Sequence, residues 1–177
     1  MKAAASIAVL GFALGLAGCG FHPLYAIPGA PHGAMRQELG SIYVEPIPEH
    51  LGYEFRNSLI DVLDARAQPA GAAYRLHLTL AEKSDAIGVQ SQTVGAVTQT
   101  AITRYNDKLT VEYELVDAAT GAVITRGVET GLSAYNVLSS PYATLVAQQD
   151  ASRRSANDIA DRIRIDLAVF FAQKAEK

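Results

Sequence analysis

Cysteine is almost missing from this chain. Its 177 residues contain one, Cys19, which excludes an intrachain disulfide framework and a cysteine-rich zinc site. A basic excess is missing too: 15 Lys+Arg stand against 18 Asp+Glu, so the composition gives no general reason to bind nucleic acid. No apolar run reaches the roughly 18 residues that a membrane-spanning helix needs. Charge is sparse at 19% and hydrophobic residues make up 49%, which excludes a disordered chain. The length suits one domain, or one domain behind a targeting segment.

Catalytic signatures are absent as well. The four histidines, His22, His32, His50 and His77, are not spaced as metal ligands, and no acidic residue beside them completes a zinc or facial-triad set. There is no nucleophile elbow, phosphate-binding glycine loop or dinucleotide fingerprint. Ser133, Ser139, Ser140, Ser152 and Ser155 carry no recognisable context. The expectation is a chain that is not an enzyme and takes no metal or cofactor.

What is present begins with an address. Lys2 opens the chain, and residues 3–16 then run without charge (AAASIAVLGFALGL). That length makes a signal-peptide core and is too short to span a bilayer, which takes about 20 residues. The run ends in Leu16-Ala17-Gly18-Cys19, which resembles the lipobox of bacterial lipoproteins. The resemblance implies removal of residues 1–18 and lipidation of Cys19 as the first mature residue. Gly20 stands where an Asp would argue for inner-membrane retention, so the expected address is the outer membrane, facing the periplasm. Residues 19–38 then read as the lipidated cysteine and a tether, Gly- and Pro-rich over 20–35. Residues 39–177 read as a single domain.

That domain reads as β-α-β-β-β-α. Residues 41–47 (SIYVEPI) form a short strand closed by Pro46 and Pro48. Leu51, Phe55, Leu59, Val62, Leu63 and Arg66 make the stripe of an amphipathic helix over 49–66. Tyr74, Leu76, Leu78 and Leu80 alternate with Arg75, His77 and Thr79, which is a strand with one buried and one wet face. Residues 84–99, small and nearly uncharged, read as a strand extension entering a long hairpin loop. Alternation returns with Leu109, Val111, Tyr113 and Leu115 opposite Lys108, Thr110, Glu112 and Glu114. A tight turn at 117–121 leads to a fourth strand over 122–130, whose buried face stays ambiguous because Ile124, Arg126 and Val128 share a side. Residues 135–145 read as irregular around Pro141, and a final helix runs from about 148 to 173 with Asp150/Arg154 and Asp158/Arg162 one turn apart. The expected architecture is an α+β two-layer sandwich: a four-stranded, mostly antiparallel sheet with two helices on one face. The other face is open and polar.

Five cations fall on strands or strand ends of that half-open sheet: Arg75, Lys83, Arg104, Lys108 and Arg126. Such groups can bind phosphate through charge-assisted hydrogen bonds. As a group they fit phosphate binding and surface roles about evenly; any one alone fits solubility and edge protection better.

Three short stretches carry a family resemblance. Cys19-Gly20-Phe21-His22-Pro23-Leu24-Tyr25, then Thr103-Arg104-Tyr105-Asn106, then Ser140-Pro141-Tyr142-Ala143 ahead of Asp150-Ala151 resemble, in order and spacing, the LPS-assembly lipoproteins (LptE), above all their alphaproteobacterial branch. The resemblance implies an outer-membrane lipoprotein that partners and plugs the β-barrel LptD, helps it fold and assists delivery of lipopolysaccharide to the surface. It carries over one residue, the acylated Cys19; the strand cations come from the residues alone. An accessory lipoprotein of a lipid-transport ABC system and a lipid-anchored periplasmic enzyme remain open as alternatives.

Overall fold

The structure, a computed structural model, describes residues 32–94 and 97–175. Residues 1–18, Cys19 and most of the expected tether therefore lie outside the described residues. Met35–Lys177 forms one compact unit.

The elements are α1 (His32–Gly40), β1 (Ile42–Val44), α2 (Glu49–Leu63), β2 (Tyr74–Val94), β3 (Val97–Asp117), β4 (Val123–Asn136) and α3 (Pro141–Ala175). The strands form one mixed sheet in the order β1-β2-β3-β4. β1 runs parallel to β2, and the other two pairings are antiparallel. The α+β sandwich with a mostly antiparallel sheet is thus as expected, but with three helices rather than two. α1 is the addition. Its strong helix formers (MRQEL) follow the last proline of the Gly/Pro stretch, Leu39 enters the core, and Met35 packs against it. Ser41 Oγ donates to the Glu38 carbonyl at 2.6 Å as the helix ends.

α2 buries Gly52, Phe55, Leu59 and Leu63, one helical face. It stops at Asp64 in the left-handed conformation (φ 55°), three residues short of the expected end. Arg66 accordingly leaves the helix, and its N–H donates to the Ile42 carbonyl at 2.8 Å. The core lies between this helix layer and one sheet face, and contains Ile42, Val44, Leu76, Leu109, Val111, Leu115, Ile159, Ile163 and Leu167.

Two further expectations need correction. Residues 84–94 and 97–99 are strand, not loop: β2 and β3 stay paired to Val94↔Val97. Twenty-one residues at ~3.3 Å each make a ribbon of roughly 70 Å, well beyond the helix layer. With no helix to bury a face there, neither face needs apolar alternation, and the pattern disappears from the sequence. Hydroxyl pairs take over, Ser91 with Thr100 at 3.2 Å and Thr93 with Thr98 at 3.1 Å.

The last helix starts at Pro141, not near 148. Proline is pre-organised for the first helical position, where its missing N–H costs nothing, and Ser140 Oγ accepts from the Ala143 N–H at 3.4 Å. The first ten residues of α3 bury nothing; its buried stripe begins at Ala151. Asp150 and Arg154 do pair, whereas Arg162 turns to the sheet instead, donating to the Thr130 carbonyl at 2.9 Å.

Candidate interface: the open sheet face

The register sorts every strand residue onto one face or the other. On the helix side of β4, Thr125, Gly127, Glu129 and Gly131 stand opposite Leu115, Tyr113, Val111 and Leu109. Two of these positions must be glycine-small. A Cβ on Gly127 would meet Tyr113 Oη at 2.5 Å, and one on Gly131 would meet Ile159 Cδ1 at 3.0 Å and Ser155 at 3.1 Å. The ambiguous fourth strand is thereby settled: Arg126, Val128, Thr130 and Leu132 face the open side.

Tyr113 Oη donates to Asp166 Oδ2 at 3.0 Å across the helix-side layer. Burial, then the Asp166 charge, push the Tyr113 hydroxyl far above its ordinary range. Burial and Asp166 also raise the Glu129 carboxyl, against the Arg162 guanidinium at 3.8 Å, which lowers it.

The open face can be read as cross-strand rows. Near the β1 end, His77, Glu114 and Arg126 lie in one row, with Glu45 Oε2 3.1 Å from His77 Nδ1. The next row is Thr79, Glu112 and Val128. The six strand residues of these two rows line a shallow groove of about 560 Å³. Arg75 lies one row outside this groove, opposite Val116. Further along, Lys83 and Lys108 stand directly opposite one another, with Leu132 next in the row.

The five expected cations therefore do not make one site. Lys83 and Lys108 are neighbours, and Arg104 lies four residues along β3, roughly 13 Å away. Arg75 is eight residues from Lys83, roughly 26 Å. Arg126 sits in the groove beside Glu114. Lys83 is held by Asp85 at 3.0 Å, an exposed pair. Among the described residues, Arg75, Arg104, Lys108 and Arg126 form no ion pair. Like charges placed opposite each other repel, so the Lys83/Lys108 row gains from an anion near it.

Sequence reasoning missed Leu132, which is 75% exposed beside this lysine row. Strand alternation carried from Arg126 past residue 130 would have put Leu132 on the same face. Among the described residues, no helix is long and apolar enough to cross a membrane.

Comparison with known proteins places this architecture. No curated protein sequence matches the chain. Among solved structures it is similar to a candidate lipoprotein of Caulobacter crescentus CB15, at 28% identity and a TM-score of 0.63 over 79% of this chain and 97% of that one. It is also similar in fold to the rare lipoprotein B of Shewanella oneidensis, at 12% identity and a TM-score of 0.52 over 76% of this chain and 96% of that one. The family model for lipopolysaccharide assembly, LptE, matches residues 39–167, nearly the whole sandwich just described, and the chain belongs to that family.

Proposed function

We propose that this chain is an outer-membrane lipoprotein, anchored through Cys19, that seats in the LptD β-barrel, assists its folding and helps deliver lipopolysaccharide to the outer leaflet. Family membership supports the lipopolysaccharide part. The observation that carries the seating is the division of the sheet. One face is covered by helices, while the other presents Thr79, Thr110, Glu112, Glu114, Arg126 and Lys108 to solvent. A barrel lumen is wet and polar, so its plug needs such a face and no apolar belt.

Within this reading, Lys83, Lys108 and Arg104 beside Leu132 are the group that contacts lipopolysaccharide phosphates. A cation row next to an exposed leucine suits a ligand with charge and acyl chains together. Arg75 and Arg126, set apart and interleaved with Glu45 and Glu114, contribute less. Depletion of the protein tests the proposal: folded barrel and surface lipopolysaccharide should both fall. Unchanged surface lipopolysaccharide after complete loss of the protein contradicts it.

A further inference from the structure

Under the first turns of α3 that touch the sheet, the helix-side layer turns from apolar to polar. The row Ser84, Asp107 and Ser133 crosses β2, β3 and β4 in direct register. Asp107 is 1% exposed, and Ser84 Oγ donates to its Oδ1. Among the described residues, its other oxygen, Oδ2, is buried without a hydrogen-bond partner, and so is Ser133 Oγ in the same row. Glu82 lies on the same face, diagonal to Asp107, a separation of roughly 7–8 Å between backbones that side chains can close. From the helix above, Ser152 Oγ donates to Glu82 Oε1 at 2.6 Å. Among the described residues, neither carboxylate has an ion-pair partner.

A buried carboxylate oxygen with no donor is costly, and a charge without a counter-charge more so. Two acids and three hydroxyls in one layer, with one acid oxygen and one hydroxyl unclaimed, match the all-oxygen ligand set of a hard divalent cation. We propose that Asp107 and Glu82, with Ser133, hold one such ion, calcium in the first instance, pinning the base of the long hairpin to α3. Water completes the coordination on the Glu82 side, which is open to solvent.

The site has a built-in reporter. Tyr105 and Tyr135 stack at 5.5 Å between centroids and occupy the next row beyond Asp107. The chain has no tryptophan, so terbium bound here is excited through tyrosine. The test uses the full chain in detergent, stripped with chelator. Calcium should raise its melting temperature by roughly 5 °C at a tenfold excess over the dissociation constant. Terbium should bind at one site per chain and be displaced by calcium. Asp107→Asn should weaken terbium binding at least tenfold, and Glu82→Gln, at an exposed position, should weaken it without affecting folding. Asp117→Asn, at the other end of β3, should leave the terbium affinity unchanged. A wild-type chain whose melting temperature ignores calcium overturns the proposal, as does terbium binding that survives in Glu82→Gln and Asp107→Asn alike.

Discussion

Gly127 shows how closely β4 is fitted to Tyr113 of β3 beneath α3, and Gly127→Ala puts a number on it. The added Cβ would lie 2.5 Å from Tyr113 Oη, 2.6 Å from Cζ and 2.7 Å from Cε1. No small adjustment relieves three such contacts, so the ring must swing and release its bond to Asp166. Losing a hydrogen bond to a charged group costs about 1.5–3 kcal/mol, and forced repacking about 1–3 kcal/mol. Replacing glycine in a strand returns about 0.5–1 kcal/mol of chain entropy. The net cost is about 1.5–5.5 kcal/mol, read by urea unfolding at neutral pH. A Tyr113→Leu background removes the ring and the bond, so there Gly127→Ala should cost less than ~0.5 kcal/mol, which makes the pair strongly coupled. Equal costs in both backgrounds would refute the reasoning, as would a single variant as stable as wild type.

Glu129 is held above the ordinary glutamate range by burial and Asp166, so the folded state binds its proton more tightly than the unfolded chain does. Wild type must therefore lose stability relative to Glu129→Gln as pH rises from about 4 to 7, and a difference of the opposite slope counts against the assignment. Cys19→Ser should abolish lipid attachment and leave unprocessed precursor, read by mass spectrometry; an unmodified cysteine on mature wild-type protein contradicts the anchor. Lys83→Glu with Lys108→Glu should weaken lipopolysaccharide binding by on the order of a hundredfold to ten-thousandfold, since two charge-assisted bonds worth about 1.5–3 kcal/mol each are lost. Circular dichroism should show an unchanged fold in this variant, because exposed pairs contribute little stability. Unaltered affinity would return both lysines to plain surface roles.

The layers were legible wherever burial imposes a period. Tyr74 to Leu80 and Leu109 to Leu115 alternate because one side of each strand meets the helices, and Phe55, Leu59 and Leu63 follow one helical face. Where no partner layer exists, the period is gone. The outer hairpin and the first ten residues of α3 bury too little to leave a stripe, so their sequence gave no sign of regular structure. α1 was hidden by the Gly/Pro stretch before it. The candidate site was half legible for the same reason: parity put Lys108 on the open side, but left the face of Arg126 undecided. Which residues share a row depends on the hairpin register, and reading 84–99 as a loop left the opposition of Lys83 and Lys108 unseen. Nothing in one sequence says that Gly127 and Gly131 are small because Tyr113 and α3 press on them.

The seating of this domain in a barrel is tested most directly by a photo-crosslinking side chain placed at Val128 or Leu132, both exposed on the open face. Irradiation of living cells should join the protein to one outer-membrane β-barrel, LptD, identified by mass spectrometry and by mobility that changes on heating. Crosslinks confined to soluble periplasmic proteins, with the protein correctly anchored in the outer membrane, would contradict the account.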